Sequence, residues 1–207
     1  MQKKIIKGWH VRRRDPDNVM KEIINLTHTC PNLEEIVFSD SVFTWGYNWL
    51  KEFLKEFKRM GLSFRCFGHF SLMKPKVLEL IGKSGCHMIT AGIQGSERIR
   101  KKYFNKHETD EQIIEGSKLI ASLGILGRYD VLTNIPYSTK EDDESVGNLL
   151  SNLKRPFSLR EFPLLYNPKT ELTKRCLKDK IITENDIEGI AATAYKKWGK
   201  FTYYATD

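Results

Sequence analysis

The sequence contains no stretch of about 18 consecutive apolar residues, the length that a membrane-spanning helix needs. Residues 1–7 are basic, but the apolar run of a secretory signal does not follow them. Linkers, low-complexity tracts and repeats are also missing, and 207 residues are enough for one sizeable core. We therefore expect a single domain over residues 1–207, located in the cytoplasm and without a membrane partner.

Cysteine is scarce, and its spacing excludes the usual cysteine frameworks. The four cysteines lie far apart and form no CxxC pair; they are Cys30, Cys66, Cys86 and Cys176. A chain of this size does not need disulfides for stability, so we expect reduced thiols. A metal site needs three or four converging ligands, and no such spacing is present. Spacing also identifies no Ser-His-Asp set, phosphate-binding loop or carboxylate pair.

Positive charge is in excess, with a formal net charge of +8 at pH 7. Clustered lysine and arginine side chains gain free energy on polyanions by releasing counterions, so a nucleic acid or a phosphate-bearing ligand would suit this balance. However, the densest cluster, residues 12–14, has no aromatic residues among its arginines, and most lysines fall on predicted helical surfaces. Solvated surface charge is the simpler interpretation, and we do not expect a nucleic-acid partner.

Helix-like and strand-like segments alternate along the chain. Short apolar runs that are typical of buried strands occur at residues 35–38, 63–68, 88–93, 128–133 and 157–165. Segments with helical periodicity lie between them, and two more follow the last strand, at residues 170–177 and 184–198. Strands that are each separated by one helix pair in parallel, because every return to the same sheet edge needs a crossover. The pattern predicts an α/β fold, either a (β/α) barrel or a doubly wound sheet.

In both folds ligands bind where the carboxyl ends of the strands meet, so the residues directly after each strand are the candidates for a site. After the first predicted strand, Asp40, Ser41 and Thr44 offer oxygen atoms to an ammonium or hydroxyl group. The same side chains also suit a plain helix-start turn, since Ser, Asp and Thr satisfy free backbone N–H groups there. Chemistry alone favours the turn.

Two further strand ends carry polar candidates. After the third predicted strand, Gln94 and Ser96 flank a glycine, and the helix that follows would point its N–H groups at the same place; a tight loop without a ligand is equally compatible. The fourth strand contains Asp130 in an apolar run and ends at Asn134. Because a buried carboxylate is costly without a partner, Asp130 should meet a cation or a ligand, and pairing with a neighbour such as Arg128 is the commoner outcome.

Several segments, taken in order, match the motifs of one enzyme family. Residues 38–44 are similar to F-x-D-D-x-F-T, residues 92–100 to G-I-Q/E-S-G-S-E-R-I-R, and residues 129–143 to Y-D-x-I-x-D-N-P-x-E-T-x-E-D. Residues 155–172 are similar to a closing strand with its P-G-T-E-L turn, and residues 11–19 to the stretch after a cluster-binding loop. Order and spacing carry the likeness over about residues 8–190. The chain resembles the core of radical S-adenosylmethionine (SAM) enzymes of the cobalamin-binding-domain type.

The resemblance implies a fold and cofactors. The fold would be a partial, open TIM-like (β/α) barrel of about five to six parallel strands, with residues 1–16 as a remnant of the cluster loop, 17–180 as βα units and 181–207 as a C-terminal helix and tail. The family binds SAM and a 4Fe-4S cluster, and cobalamin is a further cofactor that it allows for the full-length protein. By resemblance, the residues that bind SAM are Asp40, Ser41, Thr44, Gln94, Ser96, Asp130, Asn134 and Ile135.

The resemblance also assigns parts of SAM to three of these segments. It places Asp40 and Thr44 near the methionyl end, and Gln94 with Ser96 at the methionyl and ribose parts. Asn134 and Ile135 would lie near the adenine.

The sequence departs from the family where the cluster is bound. The motif CxxxCxxC, which holds three irons of the cluster, would precede residue 8 and is absent, as is the first barrel strand. The four cysteines fall on different predicted elements and cannot replace it. We therefore predict a fragment of a radical SAM enzyme that is inactive alone; the whole would cleave SAM reductively and start radical chemistry on an unknown substrate. Another chain could supply the missing part at the sheet edge formed by residues 35–38.

Two other functions stay open at this point. The domain could be a non-catalytic interaction module, for RNA in view of its charge, and a steep salt dependence of RNA binding would reveal it. It could also be an unrelated barrel enzyme that acts on a phosphorylated metabolite, which would need a phosphate-binding loop near the last strand. Residues 165–168 do not resemble such a loop.

Overall fold

The computed structural model describes residues 13–187 and 202–205, the latter as backbone only. Its helices are α1 (Pro16–Thr29), α2 (Tyr47–Phe57), α3 (Pro75–Gly82), α4 (Glu97–Tyr103), α5 (Asp110–Ser122), α6 (Lys140–Ser151) and α7 (Glu171–Lys178). Its strands are β1 (Glu35–Phe38), β2 (Ser63–Gly68), β3 (Cys86–Ile93), β4 (Leu126–Thr133), β5 (Phe157–Pro163) and β6 (Thr202–Ala205). Within this part of the chain, no helix has the length and apolar character needed to cross a membrane.

Side-chain caps determine where the helices begin. The carboxylate of Asp15 accepts hydrogen bonds from two amides in the first turn of α1, and a proline occupies the first helical position. Thr109 before α5 and Thr139 before α6 each form a capping box, in which the cap and the residue three positions on bond each other's backbone N–H groups. The sequence predicts the box at Thr109, and the structure confirms it.

The six strands form one sheet in the order β1-β2-β3-β4-β5-β6. Strands β1 to β5 pair in parallel, whereas β6 runs antiparallel to β5, with Phe157 opposite Ala205. Strands β1 and β6 lie at the two ends of this sheet and do not pair with each other, so the sheet is open. The predicted open α/β barrel with five parallel strands is confirmed. The sixth strand differs, because antiparallel pairing satisfies the free edge of β5 as well as a parallel strand would.

The main core lies between the sheet and its helices. Because consecutive strands are neighbours and parallel crossovers share one hand, the helices cover a single face of the sheet. Alternate residues of β4 are buried, with Tyr129 and Val131 in the core and Arg128 and Asp130 on the opposite, open face. One part of the core is a group of contacting aromatic rings, Phe38, Phe43, Phe53, Phe57 and Phe64.

A smaller apolar cluster lies at the carboxyl end of the sheet. Cys176, Ile182 and Ile187 form it, and Tyr137 packs against it from the loop after β4. Arg175 of α7 lies over the ring of Tyr137, with 5.0 Å between its guanidinium carbon and the ring centroid. These contacts attach α7 to the edge where the strands end.

Two predicted segments lie mainly outside the described residues. The remnant of the cluster loop, residues 1–16, is described from residue 13 onward, and the last predicted helix, residues 184–198, is described only to residue 187. The division of the chain at residues 16 and 180 therefore stays a prediction.

Candidate functional site

Polar loops follow each parallel strand at one edge of the sheet, the position where ligands bind in open α/β and barrel folds. We call this edge the rim; its loops are residues 39–46, 69–74, 94–96, 134–139 and 164–170. Seven of the eight SAM-binding candidates from the sequence lie on these loops, and the eighth, Asp130, lies within β4.

The loop after β1 turns over the end of β2. The amide of Phe43 donates to the carbonyl of Phe67 over 2.8 Å, and the guanidinium of Arg13 donates to the carbonyl of Phe43 over 2.7 Å. These bonds bury Thr44, which is 2% exposed and whose Oγ1 has no hydrogen-bond partner among the described residues. Asp40 and Ser41, by contrast, are exposed. The loop thus offers one buried hydroxyl and two solvent-facing groups.

Arg13 carries positive charge to this loop. Its guanidinium lies 4.4 Å from the ring centroid of Trp49 and 5.6 Å from that of Trp45. Burial lowers the pKa of Arg13, and the negative charge of Asp40 opposes that effect. Asp40 is therefore near enough to act electrostatically on Arg13, although it lies in solvent.

The loop after β3 is packed too tightly for larger residues. The amide group of Gln94 folds back over Gly92, where a Cβ would lie 2.1 Å from Nε2 of Gln94. Gly95 has a φ of +77°, and a Cβ there would lie 2.9 Å from Ile99 and 3.0 Å from Ile135. In this arrangement Oε1 of Gln94 is buried and has no hydrogen-bond partner among the described residues. The loop therefore presents an unused acceptor.

Ser96 is already engaged within the protein. Its hydroxyl caps α4 by accepting from the amide of Ile99 over 3.3 Å, and it donates to Oδ1 of Asp142 over 2.6 Å. Asp142 is buried and also accepts from Arg98 and from the amide of Thr139. The hydrogen bond from Arg98, together with those from Ser96 and Thr139, outweighs burial and holds the pKa of Asp142 well below its usual range. Ser96 thus ties the loop after β3 to the start of α6.

Asp130 is paired across the sheet. Arg160 donates to both of its oxygens, over 2.8 and 2.7 Å, because the two residues are register partners on β4 and β5. The expectation that Asp130 meets a cation is confirmed, but the partner is Arg160 and not Arg128. Two residues away on the same strand, Arg128 is the register partner of Ser158 and donates to its hydroxyl over 3.5 Å. In both pairs the partner lies opposite on the neighbouring strand and not close by in the sequence.

The loop after β4 contributes one exposed and one buried candidate. Asn134 is exposed and has a φ of +54°, a left-handed conformation that asparagine tolerates better than most residues. Ile135 is buried, and its side chain packs against Gly95. The loops after β3 and β4 are therefore in direct contact, whereas Asp40 and Ser41 stand apart at the end of β1. Their roles toward SAM stay predictions.

A buried ionic group near the rim has no counterpart in the sequence motifs. Glu108, between α4 and α5, is 1% exposed, and its Oε1 lies 3.7 Å from both His69 Nε2 and Lys106 Nζ. Burial lowers the pKa of His69, and the charge of Lys106 lowers it further, while Glu108 opposes both effects. Sequence reasoning missed Glu108 because it stands among polar loop residues, and only the tertiary fold buries it.

A cleft of about 520 Å³ lies on the helical side of the sheet, between the turn after β2 and α5. Its apolar lining includes Phe70, Met73 and Leu119. Neither Thr44 nor Gln94, which carry the unused acceptors, lines this cleft. We therefore regard the rim, and not this cleft, as the candidate site.

The cysteines do not fit an iron-sulfur cluster. Cys30 is exposed at the end of α1, Cys66 and Cys86 are buried in the main core, and Cys176 is a buried residue of α7 in the smaller cluster. Among the described residues, no group of three or more His, Cys, Asp or Glu side chains could hold a metal ion. Since the whole sequence contains only these four cysteines, these 207 residues do not supply the three thiolates that such a cluster needs.

Comparison with known proteins agrees with this architecture. Solved structures that share the fold include the radical SAM methyltransferase TsrM from Kitasatospora setae, with cobalamin and a 4Fe-4S cluster bound (TM-score 0.68, 17% identity). The match covers 81% of this chain and 34% of TsrM. Coproporphyrinogen III oxidase (HemN) from Escherichia coli, a radical SAM enzyme, matches over 95% of this chain and 50% of its own (TM-score 0.63, 15% identity).

A third similar structure is the cobalamin-dependent SAM radical enzyme OxsB, with aqua-cobalamin and SAM bound (TM-score 0.61, 16% identity). The match covers 86% of this chain and 27% of OxsB. The present chain thus spans between about a quarter and a half of the structures that it matches. No curated protein matches the sequence. The family model of the radical SAM superfamily matches residues 1–153, nearly three quarters of the chain, and the chain therefore belongs to the radical SAM superfamily.

Proposed function

We propose that the rim binds SAM and that the whole protein is a radical SAM enzyme. When bound, SAM supplies the sulfonium whose reductive cleavage yields the 5′-deoxyadenosyl radical in this family. The part of that activity that we assign to these residues is the binding and orientation of SAM. Because the cysteines do not fit a cluster, the thiolates would come from other residues, either of another chain or of a longer form of this one.

The unused acceptor of Gln94 is the observation that carries this proposal. A buried polar atom without a partner costs about 1–3 kcal/mol, so a ligand that donates a hydrogen bond is favoured at that position. SAM carries donors of this kind, its ribose hydroxyls and its amino groups. The buried hydroxyl of Thr44 is a second group of the rim without a partner in the described residues.

The other candidates divide into direct and supporting roles. Ile135 offers an apolar surface beside Gly95 on which a planar adenine could pack, and exposed Asn134 stands next to it. Asp40 and Thr44 would face the methionyl end, and Ser41 is exposed beside Asp40. Ser96 and Asp130 already have partners in the protein, so they would act by holding the loops after β3 and β4 in place.

A cobalamin requirement of the whole protein belongs to the same proposal and rests on resemblance alone. The substrate is unassigned, because no described contact points to one. A cytoplasmic location also stays a prediction.

Isothermal titration calorimetry with SAM and S-adenosylhomocysteine tests the proposal. We expect both to bind, and we expect Gln94→Leu to raise the Kd about tenfold, since a buried hydrogen bond of about 1.4 kcal/mol is lost. Asn148→Ala, an exposed change on α6, is the matched control and should bind as the unmodified chain does. Failure of the unmodified chain to bind either ligand would contradict the proposal. Salt-dependent RNA binding in its place would favour an interaction module.

A further inference from the structure

Glu108 is the most completely buried carboxylate among the described residues, yet it is poorly satisfied. Neither of its oxygens accepts a hydrogen bond in this part of the chain. The other buried carboxylate, Asp142, accepts hydrogen bonds from Ser96, Arg98 and Thr139. A buried charge is costly unless it is both paired and hydrogen-bonded, so the free acceptors of Glu108 need a partner that the protein does not provide here.

The neighbouring cations do not remove this cost. His69 and Lys106 approach only Oε1, each at 3.7 Å, which is beyond normal hydrogen-bond distance. Burial lowers the pKa of Lys106 and Glu108 opposes that effect, so this ion pair offsets part of the cost at Oε1. His69 already shares a hydrogen bond with Ser71 through Nδ1, over 2.8 Å. Burial and the charge of Lys106 lower the pKa of His69 while Glu108 opposes them, which weakens His69 as a charged partner of Glu108. Oε2 of Glu108 has no ion-pair partner in the described residues.

Glu108 lies beside the loop that carries Gln94. The guanidinium of Arg100 is fully buried and donates to the carbonyl of Gly95 over 2.7 Å and to the carbonyl of Glu108 over 3.4 Å. Its remaining partner is the carboxylate of Asp110. One guanidinium therefore fixes the loop after β3 and the segment with Glu108 against each other, and His69 brings the end of β2 to the same place.

We propose that Glu108 is a ligand-binding residue beside the rim whose two oxygens accept hydroxyl groups of the ligand, the two ribose hydroxyls where the ligand is SAM. The inference rests on the proposed function and adds a residue that the family motifs do not include. The two neighbouring hydroxyls of a ribose can each donate a hydrogen bond to one carboxylate oxygen. Acidic residues bind ribose hydroxyls in this way in dinucleotide-binding sites. A hydroxyl also fits better than an ammonium group, because Lys106 and Arg100 already place positive charge nearby.

The ligand needs an opening, and Lys106 provides one. Its side chain is 25% exposed and covers Glu108 together with His69, which is 23% exposed. The four-carbon stem of lysine is flexible, so the ammonium can swing into solvent while the carboxylate stays fixed by the backbone bond to Arg100. Asp130 differs from Glu108 because Arg160 already pairs with it and donates to both of its oxygens.

The variant Glu108→Gln separates binding from stability. It keeps the shape of the side chain and removes a poorly satisfied charge, so we expect the thermal midpoint to stay the same or rise. We expect the Kd for S-adenosylhomocysteine to rise about tenfold, because a hydrogen bond to a charged group is weakened. Glu111→Gln, an exposed change at the start of α5, is the matched control and should alter neither quantity.

A second comparison tests the hydroxyl groups themselves. We expect the unmodified chain to bind adenosine at least tenfold more tightly than 2′,3′-dideoxyadenosine, and we expect this ratio to fall toward one in Glu108→Gln. If the ratio persists in the variant, or if the variant loses stability and binds normally, Glu108 is a structural residue and the inference is overturned while the proposed function stands. If the unmodified chain binds no adenosine ligand at all, the proposed function fails and this inference fails with it.

Discussion

The buried polar side chains of the rim differ in how completely the protein satisfies them. Asp142 accepts hydrogen bonds from Ser96, Arg98 and Thr139, while Gln94 and Thr44 each keep a buried oxygen without a described partner. Polar groups with hydrogen-bond partners hold a loop in one conformation. A buried group without a partner destabilises the free protein, and a ligand that forms the missing hydrogen bond removes that cost. The same rim therefore contains residues for which we expect effects on stability and others for which we expect effects on binding.

Replacement of Asp142 by asparagine tests a rim residue that we expect to affect stability. We expect Asp142→Asn to lower the free energy of unfolding by about 2 kcal/mol at pH 7, because Arg98 and Ser96 lose a charged acceptor. Urea denaturation measures the change. Asp143→Asn, an exposed neighbour on the same helix, should change it by less than about 0.5 kcal/mol.

The effect of Asp142 should also depend on pH in a definite direction. Its pKa in the folded protein lies below the unfolded value of about 3.9, so the carboxylate stabilises the fold above that pH. The contribution falls as the pH drops from about 4 toward the folded pKa. We expect the difference between the unmodified chain and Asp142→Asn to shrink between pH 7 and pH 3. An equal difference at both values would show that side-chain shape, and not charge, is responsible.

Helices α5 and α6 each contain an interior glycine in a different environment. A Cβ on Gly116 of α5 would lie 2.9 Å from Cδ1 of Phe70, whose ring is buried against Tyr129. A Cβ on Gly147 of α6 would meet nothing within 4 Å. The absence of a side chain is thus a packing requirement in α5, whereas in α6 it only weakens the helix.

The same substitution should therefore have opposite effects in the two helices. We expect Gly147→Ala to raise the free energy of unfolding by about 0.5–1 kcal/mol through the better helix propensity of alanine. We expect Gly116→Ala to lower it by about 1 kcal/mol, because displacement of Phe70 outweighs the same gain. Urea denaturation of both variants provides the measurement, and each serves as the control for the other. Stabilisation by both changes would mean that α5 can move away from Phe70 at no cost.

On the scale of the whole molecule, the four cysteines occupy three separate regions. Only Cys30 is exposed. The hydrogen bond with Cys86, followed by burial, raises the pKa of Cys66, which keeps that thiol protonated. A chain folded in this way places its thiols too far apart to bind one cluster. It also shields three of them from reagents.

Thiol titration and cluster reconstitution test this arrangement. We expect one thiol to react rapidly with a disulfide reagent in the folded chain and four to react in denaturant. Anaerobic reconstitution with iron and sulfide should leave no stable cluster and no SAM cleavage. A Cys30→Ser variant should show no fast thiol and is the control for the assignment. Formation of a 4Fe-4S cluster by the unmodified chain would contradict the described positions of the cysteines.

The alternation of apolar strands and amphipathic helices is a local property, and it was enough to predict five parallel strands and the rim. Side chains alternate along a strand and repeat every 3.6 residues along a helix whatever the rest of the chain does. The same logic placed the polar residues after β1, β3 and β4 at one edge of the sheet. It also predicted that Asp130 needs a cation or a ligand, but the neighbour that it named, Arg128, is wrong, since Arg160 is the partner.

What the sequence determined by itself is the order of the βα units, the caps of several helices and the insufficiency of the cysteines, because each depends on residues that are close together in the chain or on their number alone. Only the tertiary structure decided that β6 adds to β5 in the antiparallel sense, that Arg160 is the partner of Asp130 and that Glu108 is buried. These outcomes depend on strand register and on loops from several elements meeting at the rim. Contacts between residues distant in sequence are formed by packing, which no local pattern encodes.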